Sequence, residues 1–292
     1  MKKDKPKKKR RILKAAALVS ALLLIAFLAV FANAMIGNPV SKYKAEKSAK
    51  KYIAENYSGT DFYAERTSYS FKDGNYIVYI KSPSSEDSSF SVSVNSKGDI
   101  VYDRYEEDVT HRGNTARRLD EEYRNLVNDV LDSGKIPYNM PIYYGTLVIY
   151  TREIRNMIDS SDIQNKYENA IIQEDLVLDE EYNIRQLAQQ AGHICIYVEN
   201  DVVNIETAKD MLLNIKNILD ENQVPFYTID FTLQYPMSED KTRPEGSVNI
   251  TAFLYSDIYE EGLTERIEAN CQKTEAYFAQ TEKEKQAEIK GN

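Results

Sequence analysis

Residues 62–82 read FYAERTSYSFKDGNYIVYIKS. Their period decides the fold of the first half of the chain. Tyr63, Thr67, Tyr69 and Phe71 alternate with polar residues, which is the two-residue repeat of a half-buried strand. Asp73-Gly74 follows, and this pair suits a tight hairpin because both central positions of such a turn take positive φ. NYIVYIKS then resumes the strand pattern. A polar loop, SPSSED (82–87), leads into SFSVSV (89–94), with Phe90, Val92 and Val94 on one face. Lys97-Gly98-Asp99 turns the chain again into IVYDRY. The expected product is a four-stranded antiparallel meander.

Upstream, Asn38-Pro39 supplies an N-cap and a proline at the first helical position. In the stretch that follows, Ala45, Ala49, Tyr52 and Ile53 recur on one face of a helix, and the other face is rich in lysine. Those lysines suit water, and they also suit anionic headgroups. A helix covering a meander makes residues 38–108 an α+β layer. The outline is similar to PepSY-like and cystatin-like modules, a likeness of fold that carries no activity.

Further upstream, residues 15–36 read AAALVSALLLIAFLAVFANAMI, 22 residues without a charge. A spanning helix needs about 20 apolar residues, whereas the apolar part of a signal peptide has about 7–15. Residues 1–14 hold nine Lys or Arg and one Asp, a charge of +8. That cluster is expected to stay cytoplasmic and to put everything after the span outside. Ala32-Asn33-Ala34 is a small-x-small pattern of the kind cut by signal peptidases. Cleavage after Ala34 would release the body rather than tether it, and the body is extracytoplasmic in both cases. The absence of a cysteine just after the run argues against a lipid-modified N-terminus.

The net charge is −9, so residues 15–292 carry −17. An acidic body does not favour phosphate backbones, which excludes nucleic acid as an expected partner. Tyrosine is abundant at 22 and tryptophan is absent, a balance suited to sheet surfaces that bury a ring and hydrate a hydroxyl. Two cysteines do not make a disulfide framework. Cys195 reads as a strand thiol within HICIYV, and its pairing with Cys271 stays open.

Downstream, residues 109–141 read as a connecting helix and linker. Asn114 is placed to cap the helix, Ala116, Leu119, Tyr123, Leu126, Val127 and Val130 form its stripe, and Gly134 ends it. Pro137 and Pro141 bracket the linker. Residues 142–292 then alternate strands and helices. The strands are GTLVIYT (145–151), HICIYV (193–198), PFYTIDFTLQY (225–235) and SVNITAFLYS (247–256). The helices cover 179–190, 205–219 and the region after Gly262, while 152–178 mixes helix and loop. This pattern predicts a second α/β sandwich of about four strands.

Chemistry-bearing motifs are sparse. His111 and His193 have no partner at metal-ligand spacing, so no metal is expected. His193 and Cys195 share a strand face, as a Cys/His dyad would, although a strand-end histidine beside a buried thiol is the plainer reading. The chain has no GxSxG, P-loop or GxGxxG, and no cofactor is expected. The acidic clusters at 84–87, 105–108 and 178–183 lack the spacing of a tight calcium loop. The phrase SDIYEEGL (256–263) is the best candidate for interaction through Asp257, Tyr259, Glu260 and Glu261, although acids before a helix also suit its dipole.

Several phrases resemble the YfjL-like proteins of Gram-positive bacteria. They are Gly37-Asn38-Pro39-Val40-Ser41-Lys42, SPSSEDSSFSV (82–92), Gly98-Asp99-Ile100, Tyr105-Glu106, Asn114-Thr115 before a tyrosine-bearing helix, and FLYSDIYEEGLTERIEA (253–269). The resemblance implies a membrane-associated chain with one span and two outer domains, in a family without an assigned activity, and it supplies no catalytic residues. The expectation is a non-enzymatic binding or sensing module of the cell envelope whose partner is an envelope protein, peptide or polymer. Rival readings are a PepSY-like regulator of an envelope peptidase or cell-wall hydrolase, and a hydrolase built from scattered acids and tyrosines.

Overall fold

A computed structural model of the chain describes residues 5–157, 169–238 and 242–291. The loop at 237–246 and the segment 152–178 therefore lie partly outside the described residues. The chain divides into two units, Met1–Val109 and Thr110–Asn292.

In the first unit, α1 (Lys5–Ile36) and α2 (Pro39–Asn56) precede β1 (Tyr63–Ser70), β2 (Asn75–Lys81), β3 (Phe90–Val94) and β4 (Ile100–Asp103). The strands form an antiparallel sheet in the order β1-β2-β3-β4, the expected meander. Asn38 caps α2, its side chain accepting from the N–H groups of Val40 and Ser41. Ala45, Ala49 and Ile53 are buried on α2, and Val78, Ile80, Phe90, Val92 and Val94 are buried on the sheet.

β1 departs from simple alternation at one point. Ala64 pairs with Ile80 and Arg66 with Tyr79, so Glu65 is an extra residue in a β-bulge. A bulge reverses the alternation beyond it. Ala64, Thr67 and Tyr69 thus share the face of the buried Ile80, Val78 and Tyr76, while Tyr63 pairs with Lys81 on the other face. Phe71 lies past the strand end and is exposed.

The joint between α1 and α2 is pinned to the sheet. Gly37 has φ +81° and its N–H donates to the Asn33 carbonyl at 3.0 Å. A Cβ at Gly37 would stand 2.7 Å from Cγ of Tyr69, so glycine is required here by both backbone and space. The Tyr76 hydroxyl accepts from the Asn38 N–H at 2.6 Å and lies 3.1 Å from the Asn38 carbonyl. On α1, Leu22, Leu23, Leu24, Ile25, Phe27 and Phe31 are all exposed, which makes it a helix long and apolar enough to cross a membrane.

The second unit contains α3 (Gly113–Leu131), β5 (Asn139–Leu147), β6 (Ile149–Tyr150), α4 (Arg152–Met157), β7 (Ile171–Ile172), α5 (Ile184–Ala191), β8 (Gly192–Glu199), α6 (Ile205–Glu221), β9 (Thr228–Gln234), β10 (Ser247–Leu254) and α7 (Leu263–Gly291). Its main sheet has the order β10-β9-β8-β5. β8 and β9 are parallel and the two outer pairings are antiparallel. β6 and β7 form a separate parallel pair.

Three boundaries differ from the sequence reading. The helix read as a connector packs into this unit's core, with Leu119, Tyr123 and Val127 fully buried among β8, β9 and α6 residues. Its N-cap position is Arg112 in the left-handed region, and Asn114 lies in the first turn, accepting from Arg117. Pro141, expected in a linker, sits within β5 between Asn139 and Ile142, where the register shifts. An edge strand at a bulge tolerates a missing N–H.

One sheet face presents Ile194, Ile196, Val198, Ile229, Phe231 and Leu233 to the helices. The opposite edge strand is guarded by α7. Asn270 accepts from the Thr251 N–H and donates to the Thr251 carbonyl, both at 2.9 Å. The side-chain amide thus pairs the strand as a further strand would, and it blocks edge-to-edge pairing. The two cysteines do not form a disulfide with each other, Cys195 being buried and Cys271 half-buried.

A close helix–sheet approach is at Gly145, where an added Cβ would stand 2.5 Å from Cγ2 of Val127. Gly145→Ala is expected to destabilise the second unit by about 1–3 kcal/mol through overpacking, read as a lower thermal midpoint. Combining it with Val127→Ala should lessen the additional loss caused by Gly145→Ala, and an unchanged additional loss would refute the contact as its cause.

Candidate functional site

The second unit carries a cleft of about 590 Å³ lined by Arg185, Gln189, Asp220, Gln223, Val224, Pro225, Phe226 and Tyr255. Each wall has a local cause. Asn183 caps α5 through Arg185 N and Gln186 N, which presents Arg185 and Gln189 from one helix. α6 ends at Glu221, and Gln223 turns the chain with φ +57°. The Tyr123 hydroxyl donates to the Pro225 carbonyl at 2.9 Å and holds the floor. Phe226 meets the Tyr255 ring edge-on, with centroids 5.1 Å apart.

The polar groups of the cleft form a connected set. Lys216 Nζ donates to Asp220 Oδ2 at 2.7 Å and to the Tyr255 hydroxyl at 3.2 Å. The same hydroxyl donates to Asp220 Oδ1 at 3.1 Å. Lys216 also lies 4.2 Å from the centre of the Tyr255 ring, a cation–π distance. Burial alone would push the Lys216 ammonium down, but its hydrogen bonds to Asp220 and Tyr255 outweigh it and hold the group above the ordinary lysine value. Arg185 uses Nε to reach the Gln223 carbonyl at 2.9 Å, which leaves its two Nη groups to face a ligand. The cleft thus offers a guanidinium edge and an amide around an apolar floor, beside a phenol already paired with Asp220 and Lys216, a set suited to a carbonyl or carboxylate attached to an apolar body.

The expected interaction residues lie just after Tyr255 in the chain. Tyr255–Asp257 is a single 3₁₀ turn. Arg266 of α7 gathers the segment by donating to the carbonyls of Asp257, Tyr259 and Glu261 at 2.9, 2.6 and 2.7 Å. Its guanidinium carbon stands 3.7 Å from the Tyr259 ring centre. Tyr259 is 51% exposed, and Glu260 and Glu261 are exposed next to the α7 start. Asp257, Tyr259, Glu260 and Glu261 are therefore the rim of an arginine-centred loop, and none of the four lines the cleft.

The sheet face away from the core carries a polar row. Tyr144, Cys195 and Asp230 are register neighbours across β5, β8 and β9. His193 Nδ1 lies 2.9 Å from Thr228 Oγ1, and its Nε2 lies 3.2 Å from Asp230 Oδ2. Asp230 Oδ1 accepts from the Ala252 N–H at 2.6 Å, where Ala252 takes φ +45° in a bulge of β10. Both ring nitrogens of His193 are engaged by Thr228 and Asp230, not by Cys195, and this disfavours the Cys/His dyad. The order Thr–His–Asp has the form of a nucleophilic relay, but Thr228 is fully buried. A hydroxyl out of reach of a substrate ties strands together rather than attacking. Burial, then the hydrogen bond with Cys195, pushes the Tyr144 hydroxyl up to about 12.

The first unit has its own cluster. The rings of Tyr57, Phe62, Phe90 and Tyr105 lie 4.6–6.0 Å apart. Tyr52 and Tyr57 both donate to Asp103 Oδ2, the latter at 2.8 Å. Asp103 raises the Tyr52 hydroxyl, and burial with Asp103 raises that of Tyr57. A cavity of about 610 Å³ adjoins the cluster, lined in part by Tyr57, Phe62 and Tyr63. Its aromatic walls are packed on one another as part of the unit's core.

Two family descriptions match the chain. The YfjL-like N-terminal domain matches residues 12–104, and the YfjL-like C-terminal domain matches residues 122–268. The chain belongs to the YfjL-like family. The boundary between the matched domains falls near the division into two units. Comparison with curated proteins gives no match. Among solved structures, a DUF5037 family protein from Ruminococcus gnavus ATCC 29149 is similar at 14% identity over 78% of this chain and 98% of that one, with a TM-score of 0.22.

For this YfjL-like chain the cleft is the candidate site. Sequence reading reached Tyr255's neighbours but not the cleft, because Arg185, Asp220 and Tyr255 come from three elements with no common spacing. Lys216→Met is expected to lower stability at neutral pH by about 0.5–1.5 kcal/mol. The sign with pH follows from the raised lysine: its stabilisation is complete below the ordinary lysine value and fades as pH climbs through the folded value. From about pH 10.4 upward the wild-type denaturation midpoint should therefore fall more steeply than that of Lys216→Met. Parallel curves would contradict the assignment.

Proposed function

We propose that the chain is a single-pass, membrane-anchored, extracytoplasmic binding module of the cell envelope, and that it acts by binding rather than by catalysis. The observation that carries this reading is the exposed apolar face of α1, 22 uncharged residues long at 15–36 and joined through Gly37 and Asn38 to a folded unit. Such a surface is costly in water and comfortable in a bilayer core. The +8 head before it places the N-terminus in the cytoplasm and the two units outside. In this reading the span is retained and Ala32-Asn33-Ala34 is not cut. The helical continuation from Asn33 to Gly37 supports retention, since peptidases cleave extended chain.

The second unit's cleft supports the binding role. Its guanidinium edge and amide suit an envelope peptide or polymer bearing a carbonyl or carboxylate. A PepSY-like regulator of an envelope hydrolase is a second reading, favoured by the helix-plus-meander outline of the first unit and its two open sheet edges, β1 and β4.

Leu24→Arg tests the anchor. An arginine at the middle of a span costs about 2.5–3.5 kcal/mol on insertion scales. The variant should move from the alkali-resistant membrane fraction toward the soluble fraction, and a wild-type chain found soluble, or shortened to begin after Ala34, would overturn the anchor. A photo-cross-linking residue in place of Gln189 tests the binding role in whole cells. An adduct with an envelope component that is lost on Arg185→Ala is the expected result, and a chain that gives no adduct would sink the cleft as its site.

A further inference from the structure

We propose that the outer face of α2 docks on anionic phospholipid headgroups of the leaflet that α1 leaves. The inference rests on the anchored reading above and goes beyond it by assigning a surface and its chemistry. Four observations point to it.

The first is charge. α2 holds five lysines and two glutamates, a net +3, whereas residues 57–292 carry −20. The basic surface of the body is thus concentrated in the segment that follows the span. The second is pairing. Lys50 bonds Glu46 and Lys51 approaches Glu55, but Lys42, Lys44 and Lys47 are exposed with no ion pair among the described residues. Each lysine near an anionic surface adds to the attraction.

The third is the arrangement of the face. Val40, Tyr43, Lys44, Lys47 and Lys51 follow helical spacing opposite the buried Ala45, Ala49 and Ile53. Val40 is 63% exposed and Tyr43 68% exposed. An exposed aromatic within two turns of a span, followed by lysines, is the composition of a membrane-interface segment. The fourth is reach. Gly37 closes back on Asn33 and Asn38 is one extended residue before α2, so the joint is two residues long. Along α2 itself the rise from Pro39 is about 6 Å to Tyr43 and about 12 Å to Lys47 at 1.5 Å per residue. Lysine stems reach back toward an interface, which brings Lys44 and Lys47 within range of the headgroups. The tie of Asn38 to Tyr76 fixes the same face relative to the sheet, so docking would also set how the first unit stands on the membrane.

The absence of tryptophan gives a clean reporter. The full chain carrying Tyr43→Trp is reconstituted in phosphatidylcholine vesicles with and without phosphatidylglycerol. The expected result is a blue-shifted emission, quenched by lipids brominated near the headgroup, that grows with phosphatidylglycerol and reverses at high salt. Lys44→Gln and Lys47→Gln combined should abolish the phosphatidylglycerol-dependent part while leaving the helical circular dichroism unchanged. Emission that is water-exposed in both vesicles, or a shift indifferent to the two substitutions, would overturn the inference. So would a soluble glycerophosphate polymer reproducing the shift in phosphatidylcholine alone, since the partner would then be a polymer. Flotation of the same vesicles at alkaline pH separates the two readings. A chain that does not float overturns both, and one that floats with an unresponsive tryptophan overturns only the docking.

Discussion

The second unit depends on one buried hydroxyl. Tyr123 of α3 is fully buried, and its only polar atom reaches the Pro225 carbonyl, 102 positions along the chain. A hydroxyl left without a partner in an apolar core costs about 1–3 kcal/mol, so the 223–226 loop must come to that place. The loop then closes the cleft floor, seats Phe226 against Tyr255 and delivers the chain into β9. Gly192 is bare for the same reason, since a Cβ there would stand 2.9 Å from the Tyr123 hydroxyl and 2.6 Å from the Ala188 carbonyl. One constraint thus sets the helix, the start of β8 and the cleft together.

The contrast between the cleft and the polar row of the open sheet face separates chemistry from its appearance. His193, Thr228 and Asp230 have the connectivity of a relay, and accessibility decides against it. Buried polar groups are stable when every valence is used, and Asp230 uses its second oxygen to hold the strained Ala252 bulge. The cleft is the reverse case. Lys216, Asp220 and Tyr255 satisfy one another at its rim, and Arg185 retains donors that no neighbour among the described residues consumes. Binding sites are found where donors remain, not where they are exhausted.

In the first unit the governing constraint is the joint at Gly37 and Asn38. A flexible linker there would let α1 and the meander reorient freely. Instead the backbone of Asn38 is held at both its N–H and its carbonyl by Tyr76, and Tyr69 fills the space a side chain at Gly37 would need. Orientation of the apolar helix is thereby written into the packing of two tyrosines 5.1 Å apart.

The sequence by itself determined what depends on neighbours along the chain. The uncharged run before Gly37, the Asn38-Pro39 helix start, the turn at Asp73-Gly74 and the alternation around Phe90 are local signals, and each gave its element. The tertiary structure decided whatever depends on which distant residues meet. It moved the helix at 113–131 from connector to core, because an apolar stripe states that a face is buried but not against what. It showed Pro141 inside an edge strand, because only pairing reveals which N–H groups are unneeded. It turned the acids around Tyr259 into the rim of an arginine-centred loop. The cleft was invisible for the same reason: Arg185, Asp220 and Tyr255 acquire a common purpose only when the tie from Tyr123 to Pro225 folds three elements around one space.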